Sequence, residues 1–549
     1  MKASDLFVKC LENEGVERIF GLPGEENADV MISLNDSPIE FVLCRHEQAA
    51  AFMADVYGRL TGKAGVCLGT LGPGATNLVT GVADGNMDRA PMVVITGQAD
   101  TTRIHKESHQ AMDSVEMFRP ITKWARQIIH EDSIAEVVRK AFKLAEAEKP
   151  GACFIELPED IAHRQVDAEP LTFTKTRRPA PDEKAVNQAL DIIRAAKRPV
   201  ILAGNGAVRK RASKQLIQFA HRTGIPVVNT FMGKGAIPWT DEHCLFTVGL
   251  QARDIVLCEI ERADLIITVG LDIVEYHPRL WNADGNARIV HIDFVPAEVD
   301  THYPVQAEVI GDIANSLWQL NECVGEGTPM FDIATRKSVR DAMLDEFKAH
   351  ADDETSGSIR PQKVLYDCRE ALGPSDILLS DVGAHKMWIA RHYQCEEPNT
   401  CLISNGFCSM GFALPGAMAA KIVFPDRKVI AIAGDAGALM NIQDLETAKR
   451  LGLSFVLMVW EDHEYGLIKW KQQSQFDGQH SDLAFENPDW IKLAEAFGCT
   501  GIHVDNSKSL RGALDEALNT DGPVILSLPI DYRENLKLTE RLGQIACPI

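Results

Sequence analysis

The stretch RKVIAIAGDAGALMNIQDLETAKRLGLSFVLMVWEDHEYG, residues 427–466, decides how the chain is read. It opens on the apolar run KVIAIA, closes on a second, LSFVLMVW, and holds a helix-length segment at 441–451 between them. Apolar runs without strict alternation suit strands covered on both faces, so the stretch reads as a parallel strand–helix–strand unit. A carboxylate follows each run: Gly434-Asp435-Ala436-Gly437 after the first, Glu461-Asp462-His463-Glu464 after the second. Ligands of such sheets sit at the carboxyl ends of the strands. Glycines there let the backbone approach closely, and a helix N-terminus favours an anion. Asp462 comes 27 residues after Asp435, a spacing that brings both to one sheet edge. Two carboxylates at that edge suit Mg²⁺ or Ca²⁺, which then bridges to a diphosphate. Taken singly, each acid also has a plainer reading, as a strand-end turn or a solvated loop acid.

Working outward, the same pattern recurs. Further apolar runs of this third region are DILLSDVG (376–383) and PVILSLP (523–529), with a helical segment at 411–422. A polar stretch at 350–360, HADDETSGSIR, precedes the region and follows a charged helical segment at 335–350. Before that lie PVILAGNGAV (199–208), ADLIITVG (263–270) and ARIVHIDF (287–294), behind another polar seam at 176–183, TRRPAPDE. The first region carries FVLC (41–44), GVCLGT (65–70) and PMVVITG (91–97), with a helix at 47–62. The expectation is an α/β chain of three doubly wound parallel-sheet domains, at 1–175, 184–325 and 361–549.

The chain has 549 residues, 45% hydrophobic and 24% charged, the composition of a soluble globular protein with large cores. Its net charge of −22 disfavours nucleic-acid binding, which rests on Lys and Arg neutralising phosphates. No apolar run of about 18 residues suggests a membrane span. The N-terminus, broken by Asp5, Lys9, Glu12 and Glu14, reads as an amphipathic helix rather than a signal peptide. The 13 cysteines are scattered, with no C-x-x-C pair, so reduced thiols and a cytoplasmic location are expected.

The 427–466 stretch resembles the metal and diphosphate motif of thiamine-diphosphate enzymes. The resemblance implies that the side chains of Asp435 and Asp462 and the backbone carbonyl of Glu464 hold Mg²⁺, with Gly434, Ala436, Gly437 and Tyr465 around the cofactor. Ala436 departs from the motif's usual glycine, and Glu461 stands where anabolic relatives have an asparagine. CRHEQAAAFMADVYGRLTGKAGVCLGTLGPGATN, residues 44–77, is similar to the acetohydroxyacid synthase branch of these enzymes. There the acid at Glu47 hydrogen-bonds N1′ of the aminopyrimidine and favours the tautomer that removes the C2 proton. From the residues alone Glu47 also reads as a helix-start acid. Gly72, Gly74 and Asn77 belong to the glycine-rich loop near the cofactor.

The resemblance extends to Gly383-Ala384-His385, to Met387, which it assigns to propping the bent cofactor, and to Met410 along the pyrimidine pocket. Core packing is the alternative for both methionines. His109-Gln110-Ala111-Met112-Asp113 matches catabolic acetolactate synthases, which places Gln110 and His109 beside the substrate; His109 also reads as a structural histidine. Gly204-Asn205-Gly206 makes no dinucleotide fingerprint and VEYHPRLWN (274–282) is of the catabolic kind, so FAD is not expected. Glu25 and Glu26 occupy the loop that approaches the reaction centre, and Lys471, beside Trp470, is a candidate partner for a substrate carboxylate or a solvated lysine.

The implied activity is decarboxylation of a 2-oxo acid, pyruvate, with carboligation to a second one to give 2-acetolactate. The implied assembly is a homodimer or homotetramer with active sites between subunits. A decarboxylase releasing an aldehyde, and a non-catalytic regulatory homologue, are the alternatives.

Overall fold

In the computed structural model, residues 1–174, 177–209, 211–250 and 255–535 are described. They form three six-stranded sheets, every strand pair parallel. The first contains β1 (Arg18–Gly21), β2 (Glu40–Leu43), β3 (Gly65–Gly69), β4 (Met92–Gln98), β5 (Trp124–Gln127) and β6 (Ala152–Pro158), in the order β2-β1-β3-β4-β6-β5. The second contains β7 (Pro199–Ala203), β8 (Val227–Asn229), β9 (Cys244–Thr247), β10 (Leu265–Val269), β11 (Arg288–Asp293) and β12 (Val305–Ile310), in the order β12-β11-β10-β7-β8-β9. The third contains β13 (Ile377–Ser380), β14 (Cys401–Ile403), β15 (Val429–Gly434), β16 (Val456–Glu461), β17 (Thr500–His503) and β18 (Val524–Pro529), in the order β14-β13-β15-β16-β18-β17. The α/β class with three doubly wound parallel sheets is therefore observed.

The central strands are the apolar runs of the sequence, and β3, β4, β7 and β10 are buried along their whole length. Helices cover both faces. The N-terminal segment forms the helix Ala3–Asn13 and buries Leu6, Phe7 and Leu11. The middle unit continues past the predicted edge at 325. Helix Lys337–Lys348 sends Met343 into the middle core, and Phe347 meets Phe246 edge-on at 5.0 Å. The outer ends of the first and third predicted domains, 175 and 536–549, lie outside the described residues.

First and third units share a core. Helix Glu47–Thr61 packs against helix Ala413–Val423, with the Phe52 and Phe412 rings edge-to-face at 5.8 Å. Such a pair adds about 0.5–1.5 kcal/mol beyond the area it buries. The Arg45 N–H donates to Asp444 at 2.8 Å and fixes the start of that helix against the third unit.

Candidate active site

In the third sheet the chain leaves β13 toward β14 on one side and continues as β15 on the other. At such a reversal the strand ends separate and leave a crevice. A cavity of about 250 Å³ occupies it. Around it lie Gly383, Ala384 and His385 after β13, Gly434, Asp435, Ala436 and Gly437 after β15, Asp462, Glu464 and Tyr465 after β16, and Met410. Met387 is not among these. It is half-buried against the core beneath.

The donors and acceptors fit a metal-bound diphosphate. Asp435 is 1% exposed, and its Oδ2 accepts from the N–H groups of Asp462 and His463 and from Asn487 Nδ2, at 3.2, 2.8 and 2.9 Å. Its Oδ1 accepts the Ala436 N–H, at 2.9 Å. Burial, with Asp435 and Glu464 nearby, pushes the Asp462 carboxyl up to about 8. A dication relieves that crowding of like charge. Gly466 makes the room: a Cβ there would lie 2.2 Å from Asp462 Oδ2. Lys469 holds both Glu464 carboxylate oxygens, so what this residue offers the cavity is its backbone. The Glu464 carbonyl already accepts from the Gly466 N–H at 2.9 Å and keeps one lone pair.

His385 is buried with Nε2 unpartnered. Burial drives its imidazole down to about 3 against a bond to the Asp381 backbone, so the ring is neutral, with one donor and one acceptor nitrogen. It lies across two glycines: a Cβ on Gly383 would meet it at 2.7 Å and one on Gly434 at 3.4 Å. The two bare glycines beside the ring leave room for a phosphate group to approach the backbone.

The sequence reading missed the residues that hold Met410. Gly411, at φ +88°, donates its N–H to both Asp381 carboxylate oxygens, at 3.0 and 3.1 Å, and its carbonyl accepts from Asn441 Nδ2 at 2.7 Å. Asp381 also accepts from Val382 N and Ala413 N. Burial pushes it up to about 6 against the pull of these backbone bonds. An acid two residues before Gly383, at the mouth of an apolar strand, was the available signal.

The first unit groups its own predicted residues at the ends of β2 and β3. His46 caps helix Glu47–Thr61 by accepting the Gln48 N–H on Nδ1 at 3.0 Å, which leaves Glu47 as the first helical residue. Glu47 is buried and accepts from Asn77 Nδ2 at 2.9 Å. A Cβ on Gly74 would come 3.3 Å from Glu47 Oε1. Gly72, at φ +52°, passes so close to Gln110 that a Cβ would meet the Gln110 carbonyl at 2.7 Å. Gln110 and His109 are exposed beside it. Glu26 turns to Thr70, whose hydroxyl donates to it at 3.0 Å, while Glu25 is exposed. Lys471 is exposed on helix Gly466–Gln475, and Trp470 is in the core.

The two groups meet at one point. Gln48 Nε2 stands 3.4 Å from the place of a Cβ on Gly411, so the helix that begins at Glu47 abuts the turn bearing Met410.

Matches to known proteins agree with this division. Residues 1–117 match the N-terminal TPP binding domain of thiamine pyrophosphate enzymes, 186–320 their central domain and 381–528 their C-terminal TPP binding domain. The chain is 34% identical to the acetolactate synthase of Bacillus subtilis, over 98% of this chain and 94% of that one. The chain belongs to the acetolactate synthase family. It is also 36% identical to the catabolic acetolactate synthase of Raoultella terrigena, over 99% of this chain and 97% of the relative. Against a probable acetolactate synthase large subunit of Methanocaldococcus jannaschii it is 34% identical, over 100% and 96%. Membership of the acetolactate synthase family makes the chain a thiamine-pyrophosphate-dependent enzyme. Among the described residues no helix is long and apolar enough to cross a membrane.

Proposed function

We propose that this enzyme converts two molecules of pyruvate to 2-acetolactate and CO₂, with thiamine diphosphate and Mg²⁺ bound between the first unit of one subunit and the third unit of another. The observation that carries the reading is the cavity furnished with Asp435, Asp462 and His385 in the third unit, beside a first unit that heads a helix with the buried Glu47. In this reading Asp435, Asp462 and the Glu464 carbonyl hold the metal. His385 and the Gly434–Gly437 turn receive the diphosphate, and the Met410–Gly411 turn flanks the pyrimidine. Glu47 holds a proton at the pyrimidine's N1′, steadied by Asn77. The cofactor, when bound, supplies the electron sink for decarboxylation. Gln110 and His109, exposed beside Gly72, are placed to orient a substrate carboxylate.

FAD is not part of the reading. Between β7 and β10, where a dinucleotide's phosphates would sit, the Glu275 carboxylate accepts from Asn205 N at 3.0 Å, Asp272 N at 3.0 Å and Thr230 Oγ1 at 2.6 Å. These N–H groups are engaged by the chain's own carboxyl group. We further infer a cytoplasmic homodimer or homotetramer, which sedimentation of the purified protein tests.

Incubation with pyruvate, thiamine diphosphate and Mg²⁺, followed by product analysis, tests the activity. Acetolactate, or the acetoin formed from it, supports the reading. Acetaldehyde as the sole product makes the enzyme a simple decarboxylase, and no CO₂ release from a panel of 2-oxo acids removes catalysis altogether.

A further inference from the structure

Outside this site, the middle unit gathers three metal-ligating side chains that the reaction does not use. His221 lies in the last turn of helix Ala212–Thr223, and Asp241 and His243 lie in the turn entering β9. His221 Nε2 is 2.7 Å from one Asp241 carboxylate oxygen, and His243 Nδ1 is 3.2 Å from the other. All three ligand atoms fall within 4.8 Å of one another. The two imidazoles are stacked, centroids 4.6 Å apart and planes 27° off parallel.

We propose that His221, Asp241 and His243 form a binding site for one transition-metal dication of the zinc class. Two imidazoles and a carboxylate are the donor set such ions take. Mg²⁺ prefers the all-oxygen set at Asp435 and Asp462. Ligands about 2.0–2.2 Å from a tetrahedral ion are themselves separated by about 3.3–3.5 Å, so a small relaxation of the observed spacings admits it. His243 is 4% exposed and His221 half-exposed, which leaves a fourth position open to solvent.

The turn is held in place before any ion arrives. Arg340 donates to the carbonyls of Trp239, Thr240 and Cys244, and the His243 carbonyl accepts from Val227 N at 2.8 Å. The same turn reaches the third unit: Trp239 N donates to the Cys395 carbonyl at 3.0 Å, and Thr240 Oγ1 to Glu396 at 2.9 Å. An ion bound here ties the end of helix Ala212–Thr223 to the strap joining the middle and third units, a structural role.

The test uses the full chain, stripped with a chelator and resaturated with thiamine diphosphate and excess Mg²⁺, then dialysed against Zn²⁺ or Co²⁺. The expected result is about one Zn²⁺ per chain by elemental analysis, and a thermal midpoint raised by the ion. The Co²⁺ spectrum should lack a thiolate charge-transfer band. His221→Ala, a change at a half-exposed side chain, and His243→Asn should each weaken Zn²⁺ binding by about tenfold or more. Less than about a tenth of an equivalent bound overturns the proposal. So does a thiolate band, or Zn²⁺ affinity unchanged in both variants.

Discussion

The first and third sheets have the same strand order. Rank for rank, β1, β2, β3 and β4 correspond to β13, β14, β15 and β16. Yet their strand ends carry different chemistry. After β15 the turn is Gly434-Asp435-Ala436-Gly437. After β3 it is Gly69-Thr70-Leu71-Gly72, with a hydroxyl where the other has a carboxylate. After β14 comes a backbone turn clamped by Asp381, and after β2 comes Glu47 at a helix start. One topology thus yields two crevices. The third unit's gathers glycines, a buried imidazole and crowded carboxylates, the set proposed above to hold a metal and a diphosphate. The first unit's is a site for a single buried acid. Topology places a site, and the few residues just past the strands decide what it holds.

The largest expected effect separates the two crevices by parameter. Glu47→Gln removes the proton-holding acid and leaves the metal site whole. Turnover should fall by about 10²–10⁴-fold while cofactor affinity stays close to that of the parent. Steady-state kinetics and calorimetry on one preparation decide it, and near-normal turnover would take Glu47 out of the mechanism. Asp435→Ala should do the converse, weakening thiamine diphosphate and Mg²⁺ together by more than about 100-fold, since loss of a direct ligand exceeds loss of a supporting one. Titrations showing unchanged affinity would dissolve the contrast between the units.

A smaller effect is expected at Asp381→Asn. The amide accepts through one oxygen only, so the Gly411 and Ala413 N–H groups are incompletely paired. A cost of about 1–2 kcal/mol and a roughly tenfold weaker cofactor follow. Lys471→Ala should change both CO₂ release and acetolactate formation by less than about twofold, given its exposed position. A shift of product toward acetaldehyde would instead make Lys471 the acceptor's carboxylate partner.

The smallest effect is a pH slope in the shared core. Asp55 is fully buried against Asp84, and burial raises its carboxyl to about 7. The folded state therefore keeps a proton that the unfolded chain, titrating near 3.8, has lost. Stability from this group is present at low pH and declines as pH rises from about 4 to 7. Melting curves of Asp55→Asn should show a shallower decline over that window than the parent, and a slope no different would relocate the proton to Asp84.

The strands were legible because parallel strands covered on both faces must be continuous apolar runs, as at KVIAIA and LSFVLMVW. Asp435 and Asp462 were legible because the acids sit where those runs stop. Asp381 offered only its place at a strand mouth, and its pairing, like those of Asn441 and Asn487, was not legible: Gly411, the partner of the first two, lies 30 residues from each, and Asn487 reaches Asp435 from 52 residues away. No local pattern marks such pairings. Met387, whose position in GAHKMW resembles a cofactor prop, is half-buried against the core beneath. The pairing of Glu26 with Thr70 was equally hidden, since a carboxylate in a loop reads as solvated until its neighbour folds against it.

The Glu275 carboxylate between β7 and β10 is a ligand that cannot diffuse away. Its tether gives it an effective concentration on the order of millimolar or higher. A nucleotide seeking the same backbone N–H groups competes with it at every collision. Arg89 and Lys149 of the first unit grip the neighbouring Asp272 at 3.0 and 2.7 Å, so the loop bearing this internal competitor is anchored from outside the middle unit as well. The Asn205 and Asp272 N–H groups are engaged by Glu275, and the loop that carries it serves as a joint between units.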